Sequence, residues 1–187
     1  MRLPRVLIAA ATVLAVLPGS AAHAASARPA SVAAGRCSAS TLKIPFITTS
    51  PIARKAGQAV TQLVPMRNTA NVTVTRVFFD FELPSPSPHR SPTPSMWWRR
   101  GATGAWRVLP LPYWTPARHG ALAFWETNDT AFGRIAAHAH ALLELRISFH
   151  PLDPSGDYGG AAAFGARECS DPLVMIGFVA VSFDFRT

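Results

Sequence analysis

The sequence is short of cysteine, of acidic residues and of long apolar runs. Only two of its 187 residues are cysteine, too few for a disulfide-stapled miniprotein, and no Cys/His spacing of the zinc-finger type occurs. Asp and Glu number 10 against 18 Lys and Arg, for a formal net charge of +8. Charged residues make up just 15% while hydrophobic ones reach 49%, which excludes a disordered chain. The longest apolar run, Val6 to Leu17, falls short of the ~20 residues that span a bilayer, so no membrane span is expected after processing. The Gly-x-Ser-x-Gly elbow of serine hydrolases is missing, and with it the commonest signature of that chemistry.

What is present begins with a leader. Arg2 and Arg5 precede the apolar run, Pro18-Gly19 breaks it, and Ala22-His23-Ala24 has the small-x-small form of a signal peptidase site. Residues 1–24 therefore read as a secretory signal peptide and residues 25–39 as a flexible lead-in rich in Ala, Ser and Pro. Residues 40–187 read as one domain. Loss of residues 1–24 takes Arg2 and Arg5 with it and lowers the net charge to +6. The tight cationic pairs are Arg54-Lys55 and Arg99-Arg100. No phosphate-tracking stripe results, so nucleic acid is not an expected partner. In an oxidising, extracellular compartment Cys37 and Cys169 are expected to form a structural disulfide.

Period-two hydrophobicity predicts an all-β chain. Leu143, Leu145, Ile147 and Phe149 alternate with Glu144, Arg146, Ser148 and His150, and Val179, Val181, Phe183 and Phe185 repeat the pattern. Both runs are half-buried antiparallel strands. In residues 71–83 the apolar parity changes between Val74 and Val77, which predicts a β-bulge around Thr75-Arg76. The Asn and Thr residues of 67–71 predict a hairpin turn between this strand and the one before it. Weaker strands are expected at 42–47, 106–111 and 121–126, and a short helical turn or irregular link at 130–141. Five prolines between Pro84 and Pro94 require a loop. About seven strands with little helix predict a two-sheet antiparallel sandwich.

The run Ala59 to Phe81, with its Asn-Thr turn, resembles paired strands of immunoglobulin-like domains in bacterial exported proteins. Gly104-Ala-Trp-Arg-Val-Leu-Pro-Leu, Ala141-Leu-Leu-Glu-Leu-Arg-Ile-Ser-Phe and Pro154-Ser-Gly-Asp-Tyr follow in the same order as segments of actinobacterial secreted immunoglobulin-like proteins. This resemblance, over residues 40–185, implies an immunoglobulin-like fold and export, and carries no chemistry with it. Its departures are the proline-rich loop and the lack of a cysteine pair between central strands.

Trp97-Trp98-Arg99-Arg100 is the most suggestive group for binding. Adjacent tryptophans on an extended segment cannot both face one core, and tryptophan beside arginine suits a sugar ring or a protein interface. The two readings are a ligand surface and packing beneath the proline-rich loop, with Trp106 and Trp125 in the core. His138 and His140 would share one side of an extended segment, but two ligands make a weak site, so no metal and no cofactor are expected. Asp153 to Asp157 reads as a plain turn. Asp80, Glu82 and Glu126 leave a small hydrolase as the alternative class, and a metal carrier through the two histidines as another. The expected function is a non-enzymatic binding module at or outside the cell wall, whose partner is a cell-wall polymer or another extracellular protein.

Overall fold

The computed structural model describes residues 38–84, 93–114, 124–169 and 175–186. The expected signal peptide, Cys37 and most of the proline-rich loop lie outside them. Among the described residues eleven strands form two sheets. The first holds β1 (Leu42–Lys43), β3 (Ala59–Asn68), β9 (His140–Ser148), β5 (Ser95–Arg100) and β6 (Arg107–Val108), in that spatial order. The second runs β2 (Ile52–Ala53), β11 (Gly177–Phe185), β10 (Gly156–Ala166), β4 (Val74–Pro84), β8 (Phe124–Ile135) and β7 (Tyr113–Trp114). All pairings are antiparallel except β2 with β11. The all-β two-sheet sandwich is thus as the alternation predicts, and the seven strands of six or more residues carry it. Four two-residue strands complete the edges.

The parity rule explains which side chains meet. Val60, Val64 and Met66 of β3 and Leu143, Leu145 and Ile147 of β9 face Phe79, Phe81 and Leu83 of β4 and Val179, Val181 and Phe183 of β11, all buried. Two aromatic clusters close the interior. In one, Phe79 meets Trp98 edge-on at 5.3 Å and Phe164 at 6.0 Å. In the other, Phe149 stacks on Phe185 at 4.8 Å and leans on Tyr158 at 4.6 Å. Each such ring stabilises the fold by about 1.5–3 kcal/mol through burial.

The bulge lies where the pattern breaks. Val74 and Val77 are both buried while Thr75 and Arg76 are exposed, Arg76 takes φ 45°, and the ladder to β8 slips between Val74 and Val77. One extra residue restores a single inward face.

Several local expectations are corrected. β3 and β4 do not pair: the turn after Asn68 carries the chain from one sheet to the other. A hairpin there would put both apolar faces in one sheet, whereas facing sheets bury them against each other. Asn68 builds this crossing. Fully buried, it donates from Nδ2 to the carbonyls of Val72 (2.9 Å), Ile135 (3.1 Å) and Ala136 (3.0 Å), and its Oδ1 accepts from the Ala70 amide. Residues 130–135 are strand rather than helical turn, because Phe132 and Ile135 are drawn into the core. The strands expected at 42–47 and 106–111 shrink to two residues each. β10 has no counterpart in the sequence reading, since glycines and alanines at 159–163 hide its alternation.

Tyr158 forms a corner at the start of β10. Its hydroxyl donates to the Pro154 carbonyl at 2.7 Å. Burial, followed by the neighbouring Asp153 charge, raises its pKa far above the usual phenol value. Asp153 accepts from the His150 amide at 2.6 Å, and burial pushes its carboxyl up, against the opposing pull of that hydrogen bond and of His150. The Asp153–Asp157 segment is therefore a capped turn that seats Tyr158.

Candidate binding surface

Strand parity splits the Trp97-Trp98-Arg99-Arg100 group into two jobs. Met96 and Trp98 point inward and Trp97 and Arg99 outward, and Arg100 is exposed at the end of the strand. Trp98 is 5% exposed and packs on Phe79 and Phe132, so it is a core residue rather than a ligand contact. Arg100 donates to the carbonyls of Phe132 and Arg134 on β8 and lies 4.9 Å over the Phe132 ring. Its guanidinium ties the two sheets together. Burial in the core corrects the expectation of ligand contact for Trp98, while the exposed Arg100 is engaged by the β8 carbonyls.

Trp97 and Arg99 belong to the outer face of the five-stranded sheet. The ladders align Trp97 with Arg146 and Val108, and Arg99 with Glu144. On β3 the same rows continue into Thr61 and Leu63. Arg99 donates to Glu144 Oε2 from Nε at 3.0 Å and from Nη2 at 2.7 Å. Glu144 is buried despite its outward position, its side chain 5% exposed. The turn at 101–104 sends the chain back, with Gly101 at φ 67° and Gly104 where a Cβ would sit 2.4 Å from the Arg100 carbonyl oxygen. Trp106 then lies against both guanidinium groups, 4.5 Å from Arg99 and 4.1 Å from Arg146. Such contacts are worth about 0.5–2 kcal/mol each.

Arg146 has no carboxylate within ion-pair distance among the described residues. The face therefore presents two half-buried indoles, an uncompensated guanidinium and the exposed Val108. Sequence reasoning missed Glu144, Arg146 and Trp106 as members of this site. The β9 alternation does put Glu144 and Arg146 on one face, but nothing in it aligns them with Arg99 and Trp97. Trp125, by contrast, is fully buried, as expected, while Trp106 is not a core residue.

The other candidates fall elsewhere. His138 takes φ 57° in the turn before β9, and His140 opens that strand, so the extended segment that would align them does not exist. No group of three or more metal-ligating side chains occurs among the described residues. Asp80, Glu82 and Glu126 lie on the outer face of the six-stranded sheet, with Glu82 opposite Glu126. Asp80 accepts the Asp129 amide, and burial raises its carboxyl, helped by the Asp129 charge and opposed by that hydrogen bond. Cys169 is buried after β10, and no cysteine among the described residues is free.

No family model and no curated protein matches the chain. Distant structural matches do. AvmM, which catalyses macrocyclization in alchivemycin A biosynthesis, superposes with a TM-score of 0.55 at 11% identity, over 79% of this chain and 90% of that one. The likeness extends to architecture alone. Weaker matches include the PapD-like domain 7 of human CEP192 (TM-score 0.37, 10% identity, 90% of this chain and 94% of that one). Another is the class 5 fimbriae chaperone CfaA (0.34, 11%, 78% and 56%).

Proposed function

We propose that the chain is an exported, non-enzymatic binding module of immunoglobulin-like type. Strand order supports the fold type. The series β1-β3-β9-β5 parallels the A-B-E-D sheet, and β11-β10-β4 parallels G-F-C. The hydroxyl of Tyr158 reaching back to Pro154 is the counterpart of the tyrosine corner on the F strand. The departure is that β5 crosses to the D position before β8 is laid beside β4.

The observation that carries the binding role is Trp106 held against two guanidinium groups, one of them lacking a carboxylate partner, beside Trp97. Indole faces stack on sugar rings and a free guanidinium takes anionic oxygens. The ligand class is an anionic cell-wall polysaccharide. Arg99 and Glu144 are positioning residues that hold the platform. Retention on purified anionic cell-wall polysaccharide is expected to fall about tenfold in Trp97→Ala and in Arg146→Ala, with a thermal midpoint close to that of the parent. Unchanged retention with a lowered midpoint in both variants would make this face a packing device and end the proposal.

Export also implies an oxidised chain, and we assign Cys37, the one other cysteine, as the partner of Cys169. Reduction is then expected to lower the thermal midpoint, since a bridge over so long a loop stabilises by up to about 5 kcal/mol. A midpoint insensitive to reductant would remove that bridge.

A further inference from the structure

Beside β3 the five-stranded sheet has an open edge. The Asn68 amide donates toward β9, to Ala139, and the Thr69 amide toward β1, to Thr41. Because successive strand residues alternate, the backbone groups of Arg67, Pro65, Leu63 and Thr61 also face the β1 side. β1 ends at Lys43, opposite Arg67. Beyond it the chain at 44–51 leaves for the other sheet, where β2 pairs with β11, and no backbone bond joins 44–51 to β3. Pro65 has no amide to offer, and the Leu63 carbonyl is met by the Gln62 side chain, Nε2 to O at 3.1 Å. What remains without a partner in this chain is the Thr61 amide and carbonyl, the Leu63 amide and the Pro65 carbonyl. Thr61 is half-buried and Leu63 exposed, so this is an accessible strand edge of the kind that can template a further strand.

A groove of about 450 Å³ lies along this edge, between β3 and the 45–51 segment. Its polar lining is also incomplete. Gln62 is 3% exposed, and its Oε1 has no hydrogen-bond partner, nor does the Ser50 hydroxyl. Its apolar lining is exposed: Phe46 is 84% and Leu63 49% accessible. Backbone donors and acceptors in a row, flanked by apolar contacts, match an added strand and not a compact solute. The charge around the groove narrows the choice. There is no Asp or Glu from Ser38 to Phe79, while Lys43 and Arg67 stand exposed at one end and Arg54 and Lys55 at the other.

We propose that this edge takes up an extended peptide segment of another protein, apolar or β-branched in its middle and acidic at its ends, as an additional strand alongside β3. The middle pairs with Thr61 and Leu63, and the acidic ends meet the two cationic pairs. The site adjoins the Trp97–Arg146 face, Thr61 lying opposite Arg146, but it uses the backbone edge of β3 and stands whether or not that face binds saccharide.

The test uses two blocked synthetic peptides with a Val-Thr-Val-Thr-Val centre, one flanked by glutamates and one by lysines. The glutamate peptide is expected to slow hydrogen exchange at the Thr61 and Leu63 amides, and to bind at least about tenfold more tightly in calorimetry than the lysine peptide. Leu63→Pro removes one of the two unpaired amides of this edge, the other being that of Thr61, and should abolish both effects. Phe46→Glu changes an exposed loop side chain without touching the core, and should weaken binding about tenfold at an unchanged midpoint. Trp97→Ala should leave peptide binding intact. Exchange at Thr61 and Leu63 unaffected by the glutamate peptide, or equal affinity for the two peptides, would overturn the proposal. So would a free chain that sediments as a dimer and becomes monomeric in Leu63→Pro, because the edge would then belong to a second copy.

Discussion

Trp98→Ala is expected to lower the unfolding free energy by about 3–5 kcal/mol, with a fall in thermal midpoint on the order of 10 °C. The indole fills the space between the sheets, in edge contact with Phe79 and tilted against Phe132. Its strand is fixed by a six-pair ladder to β9, which limits how far the site can collapse onto the void. Arg107, 5.3 Å over the same ring, loses its aromatic surface as well. Trp97→Ala, one position earlier, removes a half-buried ring from the outer face and costs much less. Chemical denaturation of the two variants measures the difference directly. Equal losses would mean that the two indoles share one environment, which the pleat forbids.

Asn68→Ala is expected to cost about 2–4 kcal/mol without removing any apolar surface. The side chain is fully buried, and its amide serves three carbonyls from two segments far apart in sequence. Alanine leaves the buried Ile135 carbonyl and the part-buried Val72 and Ala136 carbonyls without their donor, and the turn amide of Ala70 loses its acceptor. Asn68→Asp keeps the size and shape but supplies oxygens only. It is therefore expected to fold no better than the alanine variant at neutral pH. Full stability in Asn68→Asp, read by thermal unfolding, would show that the three carbonyls do not depend on this donor.

Why some elements were readable and others were not follows from what each strand has on its two faces. β9 and β11 alternate large apolar with polar residues, so period two stands out in the sequence, and both lie where it predicts. β4 shows its bulge because Val74 and Val77 have the wrong parity for one straight strand. β10 is hidden: its outward positions are Gly159, Ala161, Ala163 and Gly165, residues too small to mark a face. Gly165 is needed for another reason, since the Phe78 ring lies where its Cβ would be, 2.3 Å away. The 67–71 turn looks like a hairpin locally, because Asn and Thr form tight turns whether the next strand pairs in the same sheet or crosses to the facing one. Only the ladders decide between these.

The same division holds for the binding surface. Alternation along one strand requires that Trp97 and Trp98 separate, yet it leaves open which of them enters the core. That choice depends on the register between β5 and β9, which sets Trp98 beside Leu145 and Trp97 beside Arg146. Glu144, Arg146 and Trp106 join Arg99 only through neighbouring strands and a returning turn. The open edge of β3 likewise arises from the chain at 44–51 leaving one sheet for the other.

By itself the sequence determined an all-β chain with half-buried strands and a bulge at Thr75-Arg76, because these depend on the period-two geometry of a single strand. It also held the scarcity of acid and the excess of tryptophan beside arginine. The tertiary structure alone decided which sheet each strand joins, which indole is buried, which carboxylate Arg99 meets and which backbone groups of β3 go unpaired. Those outcomes are set by contacts between residues tens of positions apart, and no local pattern encodes them.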